Sequence, residues 1–250
     1  MIFSGAKSSA RCGIIFDGDD TLWCTECLYD AARSEAREVV TEAGIDGQEW
    51  EDLERKIDVA RVHTHGFDQT RFPGSCVLAY QELCVRGGCK ASATVAAKVE
   101  RAAQAVFTSR PPVMPHAVEI LASLRAEGIP LALVTKGDEQ VQRRRVRQSR
   151  LGRFFREISV VALKSPQVLG ETIKTLGCEP SVSWMVGNSI RSDIMPALEA
   201  GLQAIWVNAP VWEYEHVAEF SHERVISACT LKEIPRIVQG AHHRAALQRT

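Results

Sequence analysis

Cys12-Gly13-Ile14-Ile15-Phe16-Asp17-Gly18-Asp19-Asp20-Thr21 begins as an apolar run of strand length and ends in three carboxylates and a hydroxyl. A buried strand that stops this way delivers its acids to the edge of a sheet. Like charges this close repel, and a cation among them relieves the repulsion. A divalent metal held by hard oxygen ligands is the natural candidate. Alone, the stretch also suits a surface strand followed by a turn, because Asp and Gly favour turn geometry. The choice rests on the later stretches of the chain.

After Thr21 the pattern becomes helical. Leu28, Ala32, Ala36, Val39, Val40 and Ala43 recur at helical spacing, and Gly44 ends the run. Trp50, Leu53, Ile57 and Ala60 predict a second helix. Val77, Tyr80 and Cys84 predict a third, stopped by Gly87-Gly88, and Val95, Val99, Ala102 and Val106 a fourth. Short amphipathic helices in series pack as an antiparallel bundle. Arg110-Pro111-Pro112-Val113-Met114-Pro115 is stiff and marks a boundary. Beyond it, helices near 116–127, 139–148, 167–176 and 193–200 alternate with strands near 130–134, 158–161, 182–186 and 204–207. Strands alternating with helices mean a parallel sheet covered on both faces. The expected fold is therefore α/β. The sheet belongs to a core of residues 1–22 and 109–250, and a helical insertion of residues 23–108 follows its first strand. Residues 1–11 and 241–250 are expected to fray.

Composition narrows the function. Thirty basic and 31 acidic residues leave a net charge of −1, so there is no global pull toward nucleic acid or an anionic membrane. No apolar run reaches the ~20 residues that span a bilayer. The N-terminus lacks the apolar segment of a secretory signal, which predicts a cytoplasmic protein. Its eight cysteines are then expected to be reduced thiols, several of them small core residues. Cys24 and Cys27 form a C-x-x-C with no second close pair, which argues against a zinc site.

In an open parallel sheet, ligands sit beyond the carboxyl ends of the strands. Four strand ends here carry reactive groups: Asp17, Asp19 and Thr21; Thr135, Lys136 and Gly137; Lys164; and Gly187, Asn188 and Asp193. Each has an ordinary structural reading too. Thr135 suits a helix N-cap, Lys164 a solvated lysine before a Ser165-Pro166 helix start, and Ser192 another N-cap. Their order at four successive strand ends favours a shared site.

This pattern resembles the haloacid dehalogenase-like superfamily of hydrolases. The resemblance runs from Gly13 to Val207 and rests on Asp17-x-Asp19-x-Thr21, Thr135, Lys164 and Gly187-Asn188-x-x-x-x-Asp193. It implies a Rossmann-like core, a C1-type cap in place of the helical insertion, and most often a Mg²⁺-dependent phosphatase. The implied catalytic residues are Asp17, Asp19, Thr135 and Lys164. Asp17 would be the nucleophile and form an aspartyl-phosphate, and Asp19 would be the acid and then the base. Thr135 would hold a phosphoryl oxygen, and Lys164 and Mg²⁺ would offset charge repulsion. Asp17, Asp19 through its carbonyl, Asn188 and Asp193 would hold the metal. The motif often begins Gly-Asp where this chain has Gly187-Asn188, so one negative charge is missing. Thr21, Lys136 and Gly137 would line the substrate site. Metal-independent dehalogenases lack the second aspartate, so Asp19 favours phosphate chemistry. A phosphomutase and a non-catalytic binding protein are the other readings.

The cap's segment Arg61-Val62-His63-Thr64-His65-Gly66-Phe67 is expected to join two helices and to reach the leaving group with His63 and His65. Arg143, Arg144, Arg145 and Arg147 read as a solvated helix face, and Trp212, Glu213 and Glu215 receive no role. The expected partner is a small organophosphate, not nucleic acid or membrane, bound by a monomer or weak dimer.

Overall fold

The computed structural model describes residues 11–209, 211–217 and 220–247. Residues 1–10 and 248–250, where fraying was expected, lie outside them. Six parallel strands form one sheet: β1 (Ile14–Phe16), β2 (Leu131–Lys136), β3 (Glu157–Val161), β4 (Trp184–Gly187), β5 (Gln203–Val207) and β6 (Val225–Ala228). Their spatial order is β3-β2-β1-β4-β5-β6, the doubly wound, Rossmann-like arrangement. The order reverses at β1, so β1 and β4 flank the crevice where such sheets bind ligands.

β1 is short, but all three of its residues are fully buried. Period-two alternation sends Ile14 and Phe16 to one face, with Leu121 and Leu124 of α5 (Ala117–Ala126) and Ile234 and Val238 of α9 (Ile234–Leu247). Ile15 goes to the other face, with Leu169 and Ile173 of α7 (Pro166–Thr175). Each such side chain contributes about 1.5–3 kcal/mol of burial. That is why a central parallel strand reads as a continuous apolar run.

β6 and α9 went unpredicted. The strand Val-Ile-Ser-Ala is a half-buried edge, too short and mixed to stand out. Helix α9 extends to Leu247, through residues expected to fray, and the turn leading into it carries a Thr230–Glu233 capping box.

Four helices follow β1: α1 (Glu26–Glu42), α2 (Gly47–His65), α3 (Arg71–Arg86) and α4 (Ala93–Thr108). They bury a core of their own, including Ala36, Val40, Trp50, Phe72, Ala103 and Val106. Trp50 satisfies its indole N–H on the Cys76 carbonyl at 3.1 Å. Two buried ion pairs cross the bundle: Arg33–Glu54 at 2.9 Å, and Arg71–Asp58. The chain enters and leaves the bundle side by side. Cys24 N–H donates to Pro112 O at 2.8 Å, and Met114 N–H to Leu22 O at 2.9 Å. Trp23, placed in the insertion by the sequence boundary, packs instead in the sheet's own cluster. Among the described residues no helix is long and apolar enough to cross a membrane.

Candidate active site

β1 ends at Phe16, and Asp17 is pinned by its N–H to Val186 O of β4 at 2.9 Å. The chain then coils tightly. The N–H groups of Thr21, Leu22 and Trp23 all point to Gly18 O, and Asp20 adopts a left-handed backbone with φ 58°. Asp20 is not free for chemistry. Its carboxylate accepts from Thr25 N at 2.7 Å and Glu26 N at 2.9 Å, which starts α1.

Gly18 has a packing reason. The Trp23 ring lies against it, and a Cβ at position 18 would overlap that ring. Trp23 Nε1 in turn donates to Asp19 Oδ1 at 2.6 Å. Gly18→Ala is therefore expected to displace Trp23, cost about 1–3 kcal/mol of stability, and lower turnover by about 10²-fold through misplacement of Asp19. Urea denaturation and steady-state rates check this. Unchanged stability and rate would show that Trp23 adapts without moving Asp19.

The centre is a trio. Lys164 donates to Asp17 Oδ1 and, at 2.6 Å, to Asp193 Oδ1. All three residues are at most 5% exposed. Burial opposes the ammonium charge, but Asp17 and Asp193 outweigh it and raise the Lys164 pKa. Burial pushes the Asp17 carboxyl up to about 7, with Lys164 opposing and Asp193 reinforcing. One ammonium does not balance two ionised carboxylates, so with Asp17 deprotonated the trio is anionic and suited to a further cation. Asp193 accepts on its other oxygen from Ser189 N–H at 3.0 Å. It lies so close to Gly187 that any side chain there would collide with it. Asp193 sits in a π turn, Ile190–Ile194, ahead of the short helix α8 (Met195–Glu199). Ser189, not Ser192, caps that turn, accepting from Ser192 N at 2.9 Å.

Around the trio, Thr21 Oγ1 bridges Asp17 Oδ2 at 3.2 Å and Asn188 Oδ1 at 3.4 Å. Thr135 lies within β2, and Asp138 instead caps α6 (Glu139–Ser149). Thr135 Oγ1 is buried without a hydrogen-bond partner among the described residues. Asp19 spends both oxygens: Oδ1 on Trp23, and Oδ2 on Gln142 and Arg145, each at 2.7 Å. Lys136 Nζ donates to Ser192 Oγ at 2.7 Å and to Glu215. Glu215 also accepts from the Ser189 and Ser192 hydroxyls at 2.6 and 2.7 Å. Burial works against the Glu215 carboxylate, but Lys136 and the two hydroxyls prevail and lower its pKa.

These groups open into a cleft with a cavity volume of about 140 Å³. Of the sequence candidates, Asp17, Asp19, Thr135, Lys136, Lys164, Asn188 and Asp193 line it. Thr21 supports it from behind. Gly137 does not line it; with φ 138° it turns the chain from β2 into α6. His63 and His65 are a correction. No breaker precedes Gly66, so 61–65 continue α2 instead of forming a loop. Glu54, Asp58 and Val62 form the buried face of α2, leaving both histidines exposed on its last turn. The His65 ring hydrogen-bonds with Arg61 and Thr64, and Phe67 alone of this segment reaches the cleft.

The basic run is a second correction. Arg143 and Arg147 are exposed, but Arg145 is buried on Asp19. The signal was present, because Val141, Gln142, Arg145, Val146 and Ser149 share one helical stripe. Glu215, Arg33, Asp58 and Arg71 also line the cleft and carried no sequence signal.

The donor set suits a hard divalent cation. Asp17 Oδ2 and Asn188 Oδ1 converge on one hydroxyl beside an anionic trio. Among the described residues no three His, Cys, Asp or Glu side chains form a metal cluster. Asp193 stands beside this set and accepts from Lys164 and from the Ser189 N–H.

The model for haloacid dehalogenase-like hydrolases matches residues 13–201. The chain is 25% identical over 207 residues to a glyceraldehyde 3-phosphate phosphatase of Methanothermobacter thermautotrophicus, covering 81% of this chain and 88% of that one. It is 29% identical to a phosphoserine phosphatase of Thermus thermophilus over 42% of this chain and 45% of that one. A haloacid dehalogenase-like family hydrolase from Xanthomonas campestris superposes with a TM-score of 0.75 at 23% identity, covering 95% and 98% of the two chains. A HAD phosphatase from Thermococcus onnurineus gives 0.61 at 22% identity, covering 91% and 98%.

Proposed function

The chain belongs to the haloacid dehalogenase-like hydrolases, and on that premise we propose that it is a Mg²⁺-dependent phosphomonoesterase acting on a small phosphorylated metabolite. The observation that carries the reading is the buried Asp17–Lys164–Asp193 trio beside the unpartnered Thr135 hydroxyl. A dianionic phosphoryl group needs donors on its equatorial oxygens and a nucleophile in line with the leaving oxygen. Thr135 and Lys164 are the donors, and Asp17 is the nucleophile. Attack on phosphorus forms the bond to Asp17 and breaks the ester P–O bond, while the Asp19 carboxyl gives its proton to the leaving oxygen, which departs as an alcohol. Water then attacks phosphorus and gives a proton to the Asp19 carboxylate, which releases inorganic phosphate and regenerates Asp17. Asp17, the Asp19 carbonyl and Asn188 would hold Mg²⁺, with Asp193 at the edge of that set. When bound, the ion supplies positive charge against the phosphoryl oxygens.

Asp19 is the acid and base of this scheme, and its side chain remains 27% exposed at the cleft. Arg145 and Gln142 hold it aside, so it works by exchanging those partners for the leaving oxygen. A second carboxylate at this place serves phosphate ester cleavage and has no task in displacing halide. Relatives named for glyceraldehyde 3-phosphate, phosphoserine and N-acylneuraminate 9-phosphate support a small organophosphate as substrate.

The test is release of inorganic phosphate from acetyl phosphate and from aryl and alkyl phosphomonoesters. Release is expected with MgCl₂ and abolished by EDTA, with no chloride freed from 2-chloropropionate. Asp19→Asn should lower turnover of alkyl esters by about 10²–10⁴-fold, and of aryl esters less, because a good leaving group needs little protonation. Equal losses on both would remove Asp19 from the acid role. Halide release without phosphate release would overturn the function.

A further inference from the structure

On the premise of that phosphatase reading, we infer that the Asp58–Arg71 ion pair, with Arg33 and Trp212, forms the leaving-group subsite, and that it takes an uncharged, polyhydroxylated tail. All four residues line the cleft, three from the helical cap and Trp212 from the segment after β5. Asp58, Arg71 and Arg33 are at most 5% exposed. Each of the four also keeps a buried polar atom without a hydrogen-bond partner among the described residues: Asp58 Oδ1, Arg71 Nε, Trp212 Nε1 and Arg33 Nη1, which stands 3.8 Å from Asp30. Unmade hydrogen bonds at buried polar atoms are costly, and four beside one cavity mark capacity reserved for a ligand.

The charges decide what kind of tail fits. Arg33 pairs with Glu54, and Arg71 with Asp58, so the cap's buried charges already cancel. A second anionic group would find no uncommitted cation here, and a zwitterion would have to separate both buried pairs. Hydroxyl groups break neither pair. Each one donates to Asp58 Oδ1 or accepts from an arginine or indole N–H. Phe67 and Trp212 line the cleft beside these groups, with ring centres 6.4 Å apart in an edge-to-face contact. The Arg71 guanidinium lies 4.6 Å from the Trp212 ring centre and fixes that ring's place.

The experiment measures affinity calorimetrically on full-length Asp17→Asn protein with MgCl₂, so turnover does not intervene. Sorbitol 6-phosphate is expected to bind at least about tenfold more tightly than inorganic phosphate, and phosphoserine within about threefold of it. Adding Trp212→Phe, which keeps a ring and removes the N–H, should shrink the sorbitol 6-phosphate margin by about fivefold. Asp58→Asn should do the same. Should Asp58→Asn fail to fold by circular dichroism, Trp212→Phe decides. A polyol phosphate no tighter than phosphate, a larger margin for phosphoserine, or a margin that survives substitution overturns the subsite. If acetyl phosphate is still hydrolysed by the unsubstituted protein, only the subsite falls. If it is not, and phosphate itself fails to bind, the phosphatase reading falls and the subsite with it.

Discussion

Asp17→Asn is expected to reduce kcat by about 10⁴-fold or more while leaving the protein folded. The asymmetry follows from charge counting in the trio. Lys164 serves two buried carboxylates, so removing one negative charge leaves a balanced Lys164–Asp193 pair at 2.6 Å. Asparagine keeps one oxygen for Lys164, its amide N–H group replaces the other and donates to the Thr21 hydroxyl oxygen, and it fits the same volume. No buried charge is stranded, which is the usual source of large losses when an ion pair is broken. Chemistry, by contrast, loses its nucleophile. Single-turnover assays with an aryl phosphate, beside urea denaturation, check both halves. Near-normal single turnover would exclude a covalent intermediate on Asp17. A collapse in stability would mean that the Asp17 charge holds the sheet end together.

The elements readable in the sequence are those whose signal is local. Ile14, Ile15 and Phe16 form a fully buried central strand, and such strands announce themselves as apolar runs. Ser165 before Pro166 predicted the start of α7, and Ser165 Oγ does accept from Val168 N at 3.2 Å. The convergence of Asp17, Thr135, Lys164 and Asp193 was legible because topology alone brings the carboxyl ends of parallel strands together. Partnerships across the sheet edge were not. Glu215 lies 79 residues from Lys136, and nothing near Glu215 in the chain anticipates the bond between them. Arg145 shows the reverse failure. Its spacing placed it on the buried stripe of α6, but a run of four arginines reads as solvated when each is judged by its charge. His63 and His65 failed because imidazoles suggest chemistry. The phase of α2, set by Glu54, Asp58 and Val62, turned those two residues outward. The same phase turned Asp58 into the cleft.

Lys164→Met is expected to be the most damaging single change, and through a different route. Methionine matches the length and apolar stem of lysine but leaves Asp17 and Asp193 facing each other, both at most 5% exposed and without their cation. Uncompensated buried charge costs about 3–5 kcal/mol, a large part of a domain's whole stability. The variant is expected to unfold at markedly lower urea and to show no measurable phosphate release. Adding Asp193→Asn separates the two losses. The second substitution removes one of the stranded carboxylates and keeps an oxygen for the Ser189 N–H, now 3.0 Å from Asp193. Stability should recover by about 1–3 kcal/mol relative to Lys164→Met alone, a coupling expected for residues in one ion network. Activity should not recover, because the ammonium that faces the phosphoryl oxygens is still missing. Recovery of both would make Lys164 a structural counter-ion with no part in the chemistry. Recovery of neither would show that Lys164 anchors the loop after β3 through its stem, independent of its charge.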